Sequence, residues 1–366
     1  MPRTRLRAIV CLVVVVVACV GCRPPKESNL SHKIRFSVAP FQDTLIPIIG
    51  EKKGWYKEAG LDVEIKLLPW YNTQEALAAG TIDVGMGNIS SVIGAHHNSP
   101  NNVYAYGFDI FDNGFAIMVR PNSGMKTFNE LKKQHRTPEL AAQAAIRQLR
   151  GKFVITTSRT DMEQVVSYAV RHSGMEMYKD VKIIDLEPDE GLAAFLSGKG
   201  DAYLGGIPQR TRALKEGNVE LVSGPSLGPS EINGLVTTKA FAENHPDELL
   251  KLLNVMFRII NYTNTNIEDS GAIIVSELNK NTAANFTIED FKKYWNNYEH
   301  YMASPEQAQQ QILDQASATS WLRRWDDTNL YFVNVAKSIP RPVDPKDAFI
   351  MPGIQQSYIK KFGPSQ

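Results

Sequence analysis

Residues 152–174 read KFVITTSRTDMEQVVSYAVRHSG. The first six are mostly β-branched or aromatic and read as a strand, whereas TDMEQVVSYAVRHSG carries apolar residues at helical spacing and stops on Gly174. Between the two stand Thr157, Ser158, Arg159 and Thr160, three hydroxyls beside a guanidinium. A helix start needs one hydroxyl as its cap, and Thr160 is the simplest choice, so the loop offers more donors than a cap requires. A strand running through a short polar loop into a helix is half of a βαβ unit, and its repetition would decide the fold.

It repeats in both directions. Upstream, KIRFSVA (33–39) reads as a strand, TLIPIIGEKKGWYKEAG (44–60) as one helix and LDVEIKLL (61–68) as a second strand; TQEALAAG is a helix, IDVGMG a strand, NISSVIGAHH a helix capped by Asn88, and NVYAYGFD a strand. Downstream, VKIIDL, DAYLGG and VELVSG read as strands that alternate with the helices DEGLAAFLSGKG and IPQRTRALKEG. Two such series imply an α/β protein of two lobes with mainly parallel sheets under helices. The extended runs NGFAIMVRPNSG (113–124) and SEINGLVTTKAF (230–241) predict two crossovers between the lobes, which would make a hinge. The boundaries expected are 33–114 and 235–265 for lobe 1, and 119–231 for lobe 2 with a helical insertion at 126–150. After about Pro246 no strand is expected, and 266–366 reads as a helical extension packing on lobe 1.

The first residues describe export. Arg3, Arg5 and Arg7 precede the apolar run Ala8 to Val20, which is short for a bilayer span and gives way to the polar stretch RPPKESNLSHK. The expectation is a signal peptide over 1–21 and a tether over 22–32. Small residues before Cys19 and Cys22 resemble a bacterial lipobox, and Cys22 is the preferred lipidation site, with Cys19 the alternative. All three cysteines, Cys11 included, lie in this leader, so the body has no disulfide framework, thiolate nucleophile or cysteine-based metal site. Without residues 1–21 the chain keeps 37 basic against 39 acidic residues. That balance gives no case for nucleic-acid binding.

Four segments carry a resemblance: GWYKEAGLDVEI (54–65), EALAAGTIDVGMGN (75–88), LEPDEGLAAFLSGKGDAYLGG (186–206) and KAFAENHPDELL (239–250). In this order, behind a lipoprotein-like leader, they resemble the periplasmic substrate-binding proteins of the nitrate/sulfonate/taurine type in the thiamine-pyrimidine-synthase-like superfamily. The resemblance implies a type II periplasmic-binding-protein fold, a non-catalytic monomer without cofactor, and hinge closure over a small polar, anionic solute. It also implies delivery to an ABC permease with its ATPase, from a position held at the membrane by an N-terminal lipid.

In open α/β sheets, ligands sit beyond the C-terminal strand ends, where helix N-termini present free N–H groups. Lobe 1 then offers Phe41 and Gln42 after its first strand and Trp70 after its second. Gly87 allows close backbone approach before the helix that Asn88 opens, and Asp109 and Asp112 end the fourth strand, as turn residues or as holders of an amino group. Asp43 reads as a helix cap. Lobe 2 offers Thr157, Ser158 and Thr160, where the resembled family commonly binds its solute's anionic group, with Asp161 at the helix start competing with any anion. Gly205, Gly206 and Pro208 follow a later strand, and taurine-binding relatives tend to carry a bulky aromatic at the glycines, so a roomier pocket is expected. SEIN offers Glu231 and Asn233 where those relatives have an aspartate.

Alternatives stay open. A nitrogenous, pyrimidine-like vitamin precursor would suit Phe41 and Trp70, and an exported sensory module would share the fold. A pyridoxal-phosphate enzyme of the resembled superfamily is less favoured, because its cysteine-rich motif is missing. His96 and His97 are adjacent and point in different helical directions, so no metal site is expected from them. No G-x-S-x-G, P-loop or G-x-G-x-x-G element stands between a strand and a helix.

Overall fold

The computed structural model describes residues 32–70 and 72–363. Cys11, Cys19, Cys22 and the leader they belong to lie outside the described residues. The strands are β1 (Ile34–Val38), β2 (Val63–Leu67), β3 (Val84–Asn88), β4 (Asn102–Phe111), β5 (Ala116–Val119), β6 (Phe153–Thr156), β7 (Lys182–Asp185), β8 (Ala202–Tyr203), β9 (Val219–Ser223), β10 (Glu231–Thr238) and β11 (His300–Tyr301). They form a six-stranded sheet in the order β11-β4-β10-β3-β1-β2 and a five-stranded sheet in the order β7-β6-β8-β5-β9. Both sheets carry helices, as expected of runs such as VYAYGFDIF, whose residues are buried along the whole of β4.

The sheets are mixed rather than plainly parallel. β5 lies in the second sheet, antiparallel to β8 and β9, and β10 lies in the first sheet, antiparallel to β3 and β4. Both crossovers are therefore sheet strands, which satisfies their buried backbone groups. Because β10 begins at Glu231, the first sheet takes in Glu231, the last residue expected in lobe 2, and residues 232–234, which lie between the two expected lobes.

Two further expectations are corrected. Residues 44–60 form two short helices, Pro47–Lys52 and Trp55–Glu58, because Gly54 takes a left-handed conformation (φ +75°) that breaks the helix. A strand also exists after Pro246: β11 pairs with Ile110 and Asp109 on the outer edge of β4, where unpaired backbone groups would otherwise face outward.

The C-terminal extension wraps the first sheet and reaches the second lobe. Its helix Met351–Phe362 lies against β4, with Tyr106 bonded to Gln355 and Tyr358 Oη donating to Asn254 Oδ1 at 2.7 Å. Its segment 321–335 packs on the helix Ile89–Ala95 and sends Tyr331 Oη to Glu163 in the helix Asp161–His172. No helix among the described residues is long and apolar enough to cross a membrane.

Candidate functional site

The C-terminal ends of β1, β2, β3 and β6 and the loop after β8 converge where the two lobes meet. Their start is local. Asn88 caps the helix Ile89–Ala95 through its Oδ1, which accepts from Ser91 N at 2.8 Å, while Ser91 Oγ accepts from Asn88 N at 3.2 Å. Thr160 caps the helix Asp161–His172, accepting from Met162 N at 3.2 Å. With both helix starts fixed, Asn88 Nδ2 donates to Asp161 Oδ2 at 3.0 Å, a buried hydrogen bond from one lobe to the other.

Three spaces surround this junction. An inner cavity of about 40 Å³ is lined by Phe41, Gln42, Asp43, Asp161, Gly206 and Asn233, with Trp70, Phe111, Met162 and Glu231 among its other walls. An outer cavity of about 310 Å³ shares Phe41, Trp70 and Met162 with it and adds Thr157, Thr160, Glu187, Asp189 and Gln209. A third space, of about 270 Å³, is lined by Trp70, Asn88, Ser90, Ser91, Arg159, Thr160 and Asp161. Phe41 and Trp70 meet edge to face, with centroids 6.2 Å apart.

The inner cavity is acidic. Asp43, Asp161 and Glu231 line it, and among the described residues no lysine or arginine lines either it or the outer cavity. Burial pushes Asp161 up to about 7, with the Glu231 charge adding to the shift and Arg324 opposing it. Burial raises Asp43 to about 6, partly offset by backbone N–H donors at Asp43 and Thr44. Asp109, behind Asp43, is pushed well above the usual carboxylate range by burial and then by the Asp43 charge. Asn233 ties the last two together, its Nδ2 donating to Asp43 Oδ2 at 3.1 Å and to Asp109 Oδ2 at 3.0 Å. Glu231 is held instead by an ion pair with Arg324, both side chains buried, and by Ser90 Oγ at 2.7 Å.

Most of the remaining candidates are engaged within the protein. Gln42 is buried and its Nε2 donates to Glu299 Oε1 at 3.4 Å. Thr157 Oγ1 donates to Leu186 O at 2.9 Å, Thr160 Oγ1 to Thr157 O at 2.7 Å, and Ser158 Oγ lies 3.4 Å from Glu163 Oε1. The loop's N–H groups are also engaged: Ser158 N donates to Asp185 Oδ1 and Arg159 N to Glu163 Oε2, both at 2.8 Å. Arg159 (φ +60°) is exposed and is the one basic side chain lining the third space. Gly87 lies within β3, where a Cβ would stand 2.8 Å from the Val236 methyls, so its bareness serves sheet packing. Pro208 is buried in the first turn of the helix Ile207–Lys215.

The expected roominess at Gly205 and Gly206 is absent. A Cβ on Gly206 would lie 2.7 Å from Phe41 Cε1, and one on Gly205 would collide with the Tyr203 hydroxyl. The ring from lobe 1 fills the space that the glycine leaves in lobe 2.

Arg324, Glu299 and Arg210 escaped the sequence. Arg210 Nη1 donates to Asn113 O at 2.5 Å and Gly114 O at 2.8 Å, gripping the first crossover, and its guanidinium stacks 4.5 Å from the Tyr298 centroid. None of the three carries a local motif, and each acts on residues far away in sequence.

The model of the NMT1-like family matches residues 30–275, two thirds of the sequence and all of β1 to β10. The chain belongs to the NMT1-like family. A relative from Bacillus subtilis (strain 168), named "Putative aliphatic sulfonates-binding protein", is 24% identical over 297 residues, covering 76% of this chain and 81% of the relative. The periplasmic aliphatic sulphonate binding protein SsuA from Escherichia coli superposes with a TM-score of 0.65 at 18% identity, over 86% of this chain and 91% of that one. The periplasmic nitrate-binding protein NrtA from Synechocystis PCC 6803 gives 0.63 at 14% identity, over 90% and 89%. These likenesses establish the fold of this NMT1-like chain as the two-lobed architecture of periplasmic binding proteins.

Proposed function

We propose that this NMT1-like chain is an extracytoplasmic solute-binding protein that closes on a small polar solute between its lobes and hands it to an ABC permease driven by its ATPase. The observation that carries this reading is the inner cavity, whose walls come from strand-end loops and a helix start of both lobes: Phe41, Asp43 and Trp70 from one, Asp161, Met162 and Gly206 from the other. A solute touching both walls stabilises the closed form and not the open one, so binding and closure are one event. Anchoring through a lipid on Cys22, or on Cys19, would keep the protein beside its permease.

The cavity chemistry supports a solute with two kinds of end. Asp43 and Asp161 favour an amino or ring N–H group in the inner cavity, where Glu231 is already paired with Arg324, and Phe41 and Trp70 offer it apolar faces. Asn88, Ser90, Ser91, Thr160 and Arg159 line the third space with donors, where a sulfonate or carboxylate would be matched. The names of the sulfonate-binding relatives favour the anionic end; the inner acids favour the nitrogen.

A thermal-melting panel on the purified full-length chain tests this. Aminosulfonates, amino acids and aminopyrimidines are compared with plain alkylsulfonates, nitrate and sulfate. Saturating ligand raises the melting temperature in proportion to RT ln(1 + [L]/Kd). A rise with at least one nitrogen-bearing class is expected. No rise with any class would overturn the proposal.

A further inference from the structure

Behind the inner cavity, three carboxylates from distant parts of the chain meet: Asp43 after β1, Asp109 on β4, and Glu299 just before β11. One oxygen from each lies within 4.8 Å of the others, and all three residues are buried. Among the described residues none of them forms an ion pair with a lysine, arginine or histidine. Burying several carboxylates together is strongly unfavourable unless they take up protons or share a cation.

Two buried oxygens without a hydrogen-bond partner favour the cation, one of them in the cluster and one beside it. Asp109 Oδ1 has no hydrogen-bond partner although the residue is only 1% exposed, while its Oδ2 is fixed by Asn233. Gln42 Oε1 is likewise buried and unpartnered, at 1% exposure, while the same amide contacts Glu299 Oε1 through Nε2 at 3.4 Å. Turning that amide over in place would put its carbonyl oxygen against the cluster, with no movement of the backbone. The donor groups that touch the cluster are neutral: the Asp43 and Thr44 N–H groups on Asp43, Asn233 Nδ2 on Asp43 and Asp109, and Gln42 Nε2 and the Tyr294 hydroxyl on Glu299, with the Tyr301 hydroxyl beside it. They orient the carboxylates without neutralising them.

We propose that Asp43, Asp109 and Glu299, completed by the Gln42 carbonyl, form a binding site for a hard divalent cation, calcium in preference to magnesium. The ligand set is all oxygen, which selects hard cations over zinc or copper. Burial narrows the choice, since calcium accepts a cage of protein oxygens while magnesium dehydrates reluctantly and keeps several waters. A polar cleft of about 710 Å³, lined by Glu299, Asp112, His300 and Gln307, gives access from outside the lobes. Because Asp43 also walls the inner cavity, the bound ion would change the charge that a solute meets there.

The site is tested without any solute, so its outcome is separate from that of the transport proposal. The full-length chain is stripped with chelator and titrated with Ca²⁺, Mg²⁺ and Zn²⁺, reading bound metal by equilibrium dialysis and stability by melting. Terbium then replaces calcium, with luminescence sensitised through Tyr294, Tyr301 and Trp295, whose ring stacks on Tyr301 at 4.0 Å. Uptake of about one Ca²⁺ per chain, tighter than Mg²⁺, is expected. Asp109→Asn and Glu299→Gln are each expected to weaken it at least tenfold. Wild-type protein taking up no calcium at millimolar concentration would overturn the proposal. So would folded Asp109→Asn or Glu299→Gln protein that binds calcium as wild type does.

Discussion

The Phe41 ring lies where a side chain on Gly206 would have to go, its Cε1 2.7 Å and its Cδ1 3.0 Å from the position of that Cβ. One residue follows β1 and the other follows β8, so this contact exists only while the lobes are together. Gly206→Ala forces the ring aside in the closed form, whereas its other close neighbour, Gln209 Oε1 at 3.1 Å, is the end of a flexible side chain in the same lobe. Overpacking of this kind costs about 1–3 kcal/mol, so solute affinity is expected to fall roughly fivefold to a hundredfold. Calorimetric titration of the variant with whichever solute binds the wild type reads the change, and unaltered affinity would remove this contact from closure.

Asp161 makes stability depend on pH. Its carboxyl is held near 7 in the folded chain, chiefly by burial and then by Glu231. A group raised in this way binds its proton more tightly when folded, so it contributes stability below the unfolded value of about 3.9 that is lost as pH rises through about 7. Wild type should therefore lose on the order of 2–4 kcal/mol from this group between pH 4 and pH 7.5. Asp161→Asn, which keeps an oxygen for Asn88 Nδ2, should flatten that part of the profile. Urea midpoints at the two pH values measure it, and an unchanged slope in the variant would show that another group governs the range.

Arg324 fastens the C-terminal extension to the junction. Its guanidinium pairs with Glu231, donates through Nε to Ser90 Oγ at 3.2 Å and through Nη1 to Pro229 O at 3.1 Å. Three residues on, Asp327 Oδ1 accepts from Arg171 Nη2 in lobe 2 at 3.1 Å. Arg324→Ala strands Glu231 as a buried unpaired charge and should cost about 3–5 kcal/mol. Pairing it with Glu231→Gln should recover much of that loss, and a double-mutant cycle by chemical denaturation checks the coupling.

The hydroxyl of Thr157 is engaged by Leu186 O. Thr157→Val should therefore cost about 1 kcal/mol in stability, as one lost hydrogen bond. Its effect on solute affinity separates a structural hydroxyl from a ligating one. Hydrogen bonds already made within the loop argue for affinity within about a factor of three of wild type. A tenfold loss would restore the loop as an anion cradle.

The alternation of short apolar runs and amphipathic stretches made both lobes and both crossovers legible, because side-chain period reports which face is buried. Antiparallel insertion of β5 and β10 was not legible, since strand direction depends on which neighbour a run meets after the chain has crossed between sheets. Candidates at the strand ends were found by rule: Phe41, Trp70, Asn88 and Asn233 do stand at the junction. Gly87 shows the limit of that rule, because a bare position in a central strand serves packing as readily as ligand approach. The cluster of Asp43, Asp109 and Glu299 and the pair of Arg324 with Glu231 join residues up to 256 positions apart, and no local pattern announces such meetings.

The acids of the inner cavity make the central distinction measurable. Calorimetric titration of the full-length chain, at pH 7.5 with chelator present, compares an aminoalkylsulfonate with the same alkylsulfonate lacking its amino group. If Asp43 and Asp161 receive the nitrogen of the solute, the amino compound binds and its des-amino partner binds at least tenfold more weakly. Equal binding of the two, or preference for the compound without nitrogen, would contradict that role for the acids.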